Sequence, residues 1–172
     1  MEGRGLDSLV RSHLIRRVRE GLAEGPVWIA APPGYGKTML LRRLEYDLPG
    51  SRYLPLRSSV IDPQHLRETL ATAEGVSVFL LDDLHQLAEG PEALEELARM
   101  IARNPRGWVA GGRWIPERLT KGSFPQTWLT EEDLAFSPEE IARILGVSRE
   151  QAQRLHARTR GWPMAIALLA QS

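Results

Sequence analysis

The segment APPGYGKT, at positions 31–38, combines glycines, a lysine and a threonine at a spacing that suits phosphate binding. A phosphate is held well where the backbone N–H groups of a loop converge and the positive end of the following helix points to the same place. Gly34 and Gly36 permit the dihedral angles that such a loop requires. Lys37 can then reach the terminal phosphates, while Thr38 offers its hydroxyl to Mg²⁺. The segment therefore predicts a nucleotide-binding loop.

The residue types of this loop support the interpretation, with one departure from the usual pattern. Arginine supplies nearly all of the positive charge, since the only lysines are Lys37 and Lys121, and a compact ammonium on a flexible stem suits position 37. Ala31 stands where the pattern GxxxxGK(S/T) has its first glycine, and this small replacement is expected at most to weaken the loop. We expect nucleotide contacts from the loop and the start of the next helix: Pro33, Gly34, Tyr35, Gly36, Lys37, Thr38 and Met39.

The segment VFLLDDLH, at positions 78–85, is an apolar run that ends in two acids. An acid at the end of a strand downstream of a phosphate-binding loop can hold Mg²⁺ directly or through water, and Asp82 is the candidate. Asp83 follows at once, where a second acid can polarise the attacking water; the alternative is that it caps the next segment. His85 lies near the same edge, and we expect it to be a polar surface or packing residue.

A further apolar run ends in VAGGRW, at positions 109–114, and places Arg113 at the same edge as Lys37 and Asp82. An arginine there can contact the γ-phosphate and report its loss. We therefore group Arg113 with Lys37 and Asp83 as candidate catalytic residues. The alternative is an arginine in a solvated loop.

Periodicity places these segments in an α/β fold. Short apolar runs predict buried strands, and between them lie amphipathic or well-punctuated stretches that predict helices. Such alternation predicts a three-layer structure with a central, mostly parallel sheet and ligands outside the carboxyl ends of its strands. Pro55 indicates that the second strand is brief or near an edge. The predicted strands are 27–31, 51–57, 76–83, 108–112 and 126–130, and the first helix runs from Leu6 to near Gly25.

The pattern changes from about position 137, where three helical segments follow one another without a strand. We expect a nucleotide-binding domain at 1–134 and a small partial helical domain at 135–172. The stretch 139–155 also fits a helix-turn-helix, in which Arg149, Gln151 and Arg154 would meet base edges of DNA. The apolar segment TRGWPMAIALLA that follows favours a lid packed over the nucleotide instead.

Composition excludes several classes of protein. With 42% apolar and 26% charged residues, the 172-residue chain is typical of a folded globular domain, and its net charge of zero argues against a broad nucleic-acid footprint. The absence of cysteine excludes disulfides, thiolate zinc sites and a cysteine nucleophile. Neither a bilayer-spanning run of about eighteen apolar residues nor a secretory signal is present, so a soluble cytoplasmic protein without membrane partners is expected.

Taken together, these segments resemble the signal transduction ATPases with numerous domains (STAND), an AAA-like class of P-loop NTPases. Within that class the chain is most similar to the large ATP-binding LuxR-type and maltotriose-responsive transcriptional regulators. The resemblance is carried by LVRSHLIRRV, APPGYGKT, FLLDDLHQL, GGRW, LTEEDLAFSPEE and TRGWPMAIALLA. It implies that Gly161, Trp162 and Pro163 lie against the base or phosphates of the nucleotide, and that Arg11 helps to bracket the adenosine. It also implies further regulatory and DNA-binding domains, which we expect to lie outside this chain.

The expected function is binding and slow hydrolysis of ATP with Mg²⁺, as a switch in which the helical segment closes on ATP and opens on ADP. An activating arginine from a neighbouring protomer of an ATP-state homo-oligomer would fit slow turnover by the isolated chain. The alternatives are a nucleotide-binding module that never hydrolyses, a DNA-binding regulator using 139–155, and a small-molecule or nucleoside kinase. A kinase needs an arginine-rich lid and a substrate pocket, and no segment between the strands obviously supplies them.

Overall fold

The computed structural model describes residues 11–56, 62–71 and 74–171. Its centre is a five-stranded sheet in which all strands are parallel and lie in the order β2-β3-β4-β1-β5. The strands are β1 (Val27–Ala30), β2 (Ser51–Pro55), β3 (Val78–Asp82), β4 (Trp108–Gly112) and β5 (Thr127–Leu129). The predicted α/β class with a central parallel sheet is therefore confirmed.

Helices cover both faces of this sheet, so that the main body has three layers. They are α1 (Ser12–Glu24), α2 (Lys37–Asp47), α3 (Pro63–Ala71), α4 (Pro91–Arg103), α5 (Glu117–Thr120) and α6 (Glu131–Leu134), with a 3₁₀ helix at Leu84–Glu89. Three further helices complete the chain: α7 (Pro138–Leu145), α8 (Arg149–Thr159) and α9 (Pro163–Leu169).

Alternation along the strands explains why two separate cores form. In β1, Val27 and Ile29 pack in the cluster that contains α1 and α2, whereas Trp28 packs in the cluster that contains α3 and α4. In β3, Leu80 and Leu81 divide in the same way. Because successive side chains of a strand point to opposite faces, a continuous apolar run is what a sheet covered on both sides requires.

The third cluster belongs to α7, α8 and α9. Ile141, Ala152 and Ile166 are buried there together with Phe136. The predicted change from strands to helices near position 137 agrees with this, because no strand occurs within the described residues 130–171. The cluster is small, and this helical part of the chain also contacts the phosphate-binding loop, as described below.

Most predicted elements occur at the expected places, with differences at their ends. β4 spans the predicted residues, and β2 is an edge strand, as Pro55 indicated. β3 begins at Val78, two residues later than predicted, because 76 and 77 precede the ladder that pairs with β2. The predicted helical residues Leu6, Leu9 and Val10 lie outside the described residues. Within those residues, no helix is long and apolar enough to cross a membrane.

Burial along α2 leads to a first prediction. Leu44 is 0% exposed against the sheet, and Tyr46 on the same helix is 84% exposed. Replacing Leu44 with Ala removes buried methyl groups and leaves a cavity, so we expect the free energy of unfolding to fall by about 2 to 5 kcal/mol. The matched variant Tyr46→Ala should change it by about 0.5 kcal/mol or less. Urea denaturation measures both, and similar losses in the two variants would contradict the placement of α2.

Candidate nucleotide-binding site

The loop between β1 and α2 has the backbone shape that anion binding requires. Gly34 and Gly36 adopt φ values of 83° and 75°, in the left-handed region that favours glycine. α2 begins at Lys37, so its positive end faces the loop. The side chain of Tyr35 packs against the core on the α1 and α2 face. Ala31 is buried, so its methyl group fits where the usual pattern has glycine.

Four successive carbonyl groups of this loop accept hydrogen bonds. The ammonium of Lys37 donates to the carbonyl oxygens of Ala31, at 2.7 Å, and Pro32, at 2.9 Å. The indole Nε1 of Trp162 donates to Pro33 O, and the backbone N of Met164 donates to Gly34 O. The carbonyl groups of the loop therefore accept hydrogen bonds from Lys37 and from the helical segment. None of these bonds involves an N–H group of the loop.

Lys37 sits among charges of both signs. Burial lowers the pKa of its ammonium, while the nearby carboxylates of Asp82 and Asp83 act in the opposite direction. Arg113 adds to the lowering. The same cation that holds the loop is thus within electrostatic reach of all the other candidate catalytic residues.

The carboxylate of Asp82 is the most buried polar group of the site, at 1% exposure. Its Oδ2 accepts hydrogen bonds from Thr38 Oγ1 at 2.6 Å and from the Tyr53 hydroxyl at 2.8 Å. Its Oδ1 accepts from the backbone N of Asp83 at 2.9 Å. Burying a carboxylate is costly unless it is hydrogen-bonded, and these donors satisfy both oxygens.

Tyr53 is a residue that sequence reasoning missed. It lies on β2, which pairs with β3 in a register that places Pro55 beside Asp82 and Tyr53 beside Leu80. Its ring is buried and carries the guanidinium of Arg42 at 3.7 Å from the ring centroid. The signal in the sequence was a hydroxyl-bearing residue near the end of a strand, but its meaning depends on which strand is the neighbour.

Asp83 and Arg113 face the same space as the loop. Asp83 has φ 58° and ψ 35°, a left-handed conformation that is uncommon for a residue with a side chain but that aspartate tolerates better than most. Its side chain makes no capping hydrogen bond to the 3₁₀ helix that follows, although capping was the alternative role. A polar cavity of about 200 Å³ is lined by Pro33, Gly34, Gly36, Lys37, Thr38, Asp83 and Arg113.

A second, larger cleft adjoins this cavity and shares Gly34 and Gly36 with it. Its volume is about 360 Å³, and most of its lining is apolar. Five predicted contact residues line it, namely these two glycines with Arg11, Met39 and Pro163. The prediction did not include the others: Leu40, Arg43, Phe136, Met164 and Ala167. An apolar cleft beside a polar pocket suits a ligand with a flat base at one end and phosphates at the other.

Arg11 is held at the wall of this apolar cleft. Its Nη2 donates to Leu134 O at 2.8 Å, and its guanidinium lies 4.8 Å from the ring centroid of Phe136. Its Nη1 is buried without a hydrogen-bond partner among the described residues. Burial lowers the pKa of this guanidinium. A buried donor without a partner is costly, and a ligand acceptor in the cleft would relieve it.

The helical segment reaches the loop through the GWP element. Gly161 adopts φ 70° and accepts a hydrogen bond from the backbone N of Phe136 at 2.8 Å. This places Trp162 and Met164 against the loop, where they donate to its carbonyl groups. Pro163 begins α9 and lines the apolar cleft. GWP therefore lies against the phosphate-binding loop, while its contact with the base or phosphates of a nucleotide stays a prediction.

The residues that would hold Mg²⁺ provide only oxygen. No group of three or more His, Asp or Glu side chains in the described part of the chain is arranged to hold a metal ion. Thr38 and Asp82, whose oxygens lie 2.6 Å apart at the edge of the polar cavity, form a small set of hard donors. That set fits Mg²⁺, because this ion is usually held by one or two carboxylates together with water and substrate phosphates.

Comparison with known proteins identifies the fold. No protein-family model matches the chain, and a search of curated proteins finds no significant match. Among solved structures, the STAND protein with a tetratricopeptide repeat sensor from Pyrococcus horikoshii is similar with a TM-score of 0.68 at 17% identity; the match covers 95% of this chain and 30% of that one. This chain thus spans less than a third of that protein.

Two other solved structures agree with this. The RuvB Holliday junction branch migration motor of Thermotoga maritima has a TM-score of 0.62 at 17% identity, over 98% of this chain and 63% of that one. A Walker-type ATPase of Pyrococcus abyssi has a TM-score of 0.64 at 13% identity, over 96% of this chain and 70% of that one. By name the three are an ATPase, a branch migration motor and a Walker-type ATPase, and this chain shares their α/β fold.

The contact between Gly161 and Phe136 leads to a second prediction. A Cβ atom on Gly161 would lie 2.3 Å from Phe136 O, so Gly161→Ala must displace the backbone that carries Trp162 and Met164. Hydrogen exchange by NMR should then show the Met164 N–H exchanging at least about tenfold faster. Gly146→Ala is the control, because Gly146 also has positive φ but a Cβ there would meet nothing within 4 Å. If exchange is accelerated equally in both variants, the cause is the backbone strain that both share, and the contact between residues 161 and 136 does not hold the segment in place.

Proposed function

We propose that the chain binds ATP with Mg²⁺ and hydrolyses it slowly, as a nucleotide-dependent switch. The observation that supports this best is one polar cavity that brings together Lys37, Thr38, Asp83 and Arg113, which are far apart in the sequence. The adjoining apolar cleft offers a place for the adenine base. Similarity of fold to P-loop ATPases supports the same class of ligand.

In this proposal the loop holds the phosphates through its N–H groups. Proline has no N–H, so Pro32 and Pro33 cannot donate, and the donors begin at Gly34 and continue into the first turn of α2. Lys37 would leave the carbonyl oxygens of Ala31 and Pro32 and turn to the β- and γ-phosphates. Its positive charge would then offset the negative charge that develops on the transferred phosphoryl group.

Thr38 and Asp82 are the proposed magnesium-side residues. Both already point to one place, since they share a hydrogen bond, and Tyr53 fixes the carboxylate from the other side. Mg²⁺ bound there would supply positive charge close to the phosphates. The contribution of the protein is to hold the two oxygens in position, which costs no reorganisation when the ligand arrives.

Asp83 and Arg113 would act at the γ-phosphate. Asp83 orients a water molecule for in-line attack, a role that agrees with its left-handed backbone and its place in the cavity wall. Arg113 contacts the γ-phosphate from the carboxyl end of the neighbouring parallel strand, β4. A neighbouring protomer that adds an arginine in the ATP state would explain slow turnover of the isolated chain.

The helical segment 135–171 would serve as the lid of the switch, over a nucleotide-binding domain at 11–134. Its contacts with Pro33 and Gly34 link the phosphate-binding loop to α9, so a change in the loop would be felt there. The alternative is a helix-turn-helix in which α8 contacts DNA, and α8 is mostly exposed. Two of its candidate base-contacting residues form ion pairs within the protein, Arg149 with Glu139 and Arg154 with Glu150, each at 3.4 Å. We favour the lid because of the loop contacts. A cytoplasmic signalling or transcriptional regulator is the setting that the STAND resemblance supports.

The role of Lys37 leads to a third prediction. Lys37→Ala removes the cation from the phosphate cavity, so we expect affinity for ATP with Mg²⁺ to fall at least about tenfold, a loss of about 1.4 kcal/mol. Lys121→Ala is the matched control, because Lys121 is exposed beyond α5 and pairs with Glu117. Isothermal titration calorimetry measures both variants. Normal ATP affinity in Lys37→Ala would defeat the proposal.

Asp83 separates hydrolysis from binding and leads to a fourth prediction. Asp83→Asn is the preferred variant, since asparagine tolerates the left-handed backbone and removes only the charge. If Asp83 orients the attacking water, turnover should fall by about 10²-fold to 10⁴-fold while ATP affinity is kept. A phosphate-release assay beside calorimetry measures the two quantities. Unchanged turnover in Asp83→Asn would favour the alternative, a nucleotide-binding module that does not hydrolyse ATP.

A further inference from the structure

We propose that His85 is a positioning residue that holds Arg113 at the phosphate cavity and so sets the preference for ATP over ADP. The inference rests on the proposed function, because it concerns how the same cavity distinguishes two nucleotides. It assigns a role to a histidine for which the sequence suggested only packing or surface polarity.

The geometry that supports this lies just beyond the two acids. His85 is in the 3₁₀ helix Leu84–Glu89, which begins directly after Asp83. Its ring Nδ1 accepts a hydrogen bond from the backbone N of Arg113 at 3.4 Å. The end of β4 is thereby tied to the segment that follows β3, at the point where Arg113 enters the cavity wall.

Gly112 shows how closely these two segments approach. A Cβ atom at position 112 would lie 2.8 Å from Trp114 O, 3.2 Å from His85 N and 3.5 Å from His85 Nδ1. The backbone of residues 85 and 114 therefore leaves no room for a side chain at position 112, and the imidazole lies at ordinary van der Waals distance from that point. The ring of Trp114 is tilted against the imidazole, with ring centroids 6.5 Å apart at an interplanar angle of 58°. The half-buried imidazole thus lies where the segments after β3 and β4 meet.

The protonation state of the ring agrees with this role. Nδ1 can accept a hydrogen bond only when it carries no proton, so the bond requires the neutral ring with its proton on Nε2, which lies 3.5 Å from the side-chain amide of Gln86. Burial lowers the pKa of His85, and the cations Arg113 and Lys37 lower it further, against the opposing effect of Asp83 and Asp82. The neutral form, which can accept from Arg113, is therefore favoured near pH 7.

Anchoring matters because the side chain of Arg113 is exposed. A long exposed arginine loses rotamer freedom when it binds a phosphate. A backbone that is already fixed loses no further freedom, so the total entropy cost of binding is smaller. ADP lacks the γ-phosphate, so a fixed Arg113 improves the binding of ATP and leaves that of ADP almost unchanged. Without the anchor, the affinity for ATP should fall towards that of ADP.

The test compares the affinities for ADP and for a non-hydrolysable β,γ-methylene analogue of ATP, each with Mg²⁺, by calorimetry on the full chain. The variants are His85→Asn, whose amide oxygen can take the place of Nδ1, and His85→Gln and His85→Ala, which offer no acceptor there. His65→Ala, in an exposed position on α3, is the matched control. Arg113→Ala and the double variant His85→Ala with Arg113→Ala complete the set.

We expect His85→Ala and His85→Gln to lose about fivefold or more of the preference for the analogue over ADP, as Arg113→Ala does. His85→Asn should keep the preference, and the double variant should lose no more than Arg113→Ala alone. Affinity for ADP should stay the same in all of them. These readouts are binding constants and do not depend on hydrolysis.

Each other outcome overturns a specific statement. If the unaltered chain binds neither nucleotide, the proposed function fails and the role of His85 fails with it. If the unaltered chain prefers the analogue and His85→Ala keeps that preference, the proposed function stands and the role of His85 is wrong. Equal weakening of the analogue and ADP in His85→Ala, without rescue by His85→Asn, also overturns it, because the histidine would then only stabilise the fold.

Discussion

The carboxylate of Asp82 is buried, and the arrangement of the site follows from the need to satisfy it. Its donors come from three elements: Thr38 from the start of α2, Tyr53 from the neighbouring strand β2, and the backbone N of Asp83 from the segment that leaves β3. Loss of any one would leave a buried carboxylate oxygen less well paired, which is expensive in a low-dielectric interior. The hydrogen bonds therefore fix the start of α2 against the sheet, and with it the loop that lines the polar cavity.

The loop illustrates how one short segment serves two partners at once. Its carbonyl groups at positions 31–34 accept from Lys37, Trp162 and Met164, so they are occupied on one side. Its N–H groups begin only after the two prolines and are used by none of those bonds. A ligand and the helical segment therefore need not compete for the same backbone groups. Only Lys37 would have to change partners, because its ammonium donates to the loop carbonyl groups in this structure and would contact the phosphates in a complex.

The parts of the site that follow from short sequence motifs could be predicted, and the parts that depend on which elements become neighbours could not. Lys37, Thr38, Asp82, Asp83 and Arg113 were placed at one edge because parallel strands present their carboxyl ends together, and the structure brings them there. The roles of Tyr53 and His85 could not be predicted, since they depend on the strand order β2-β3-β4-β1-β5, which periodicity does not encode. The left-handed backbone of Asp83 and the 3₁₀ helix after it are also tertiary results, because an Asp-Asp-Leu-His sequence has no strong preference for them. The expectation that Arg11 brackets the adenosine came from the family resemblance, and its contacts with Leu134 and Phe136 were not predicted.

Gly34 is where the two halves of the site constrain each other. It lines both cavities, and a Cβ atom there would lie 2.7 Å from Trp162 Nε1 and 2.9 Å from Met164 Cβ. Glycine is thus required twice, once for the positive φ that turns the loop and once for the close approach of the helical segment. The carbonyl group of Gly34 is part of the phosphate-binding loop and accepts the hydrogen bond from the backbone N of Met164. A change of the loop dihedral angles on phosphate binding would therefore move this acceptor. The position of α9 beside the cleft and the shape of the phosphate-binding loop are therefore coupled through Gly34, a residue with no side chain.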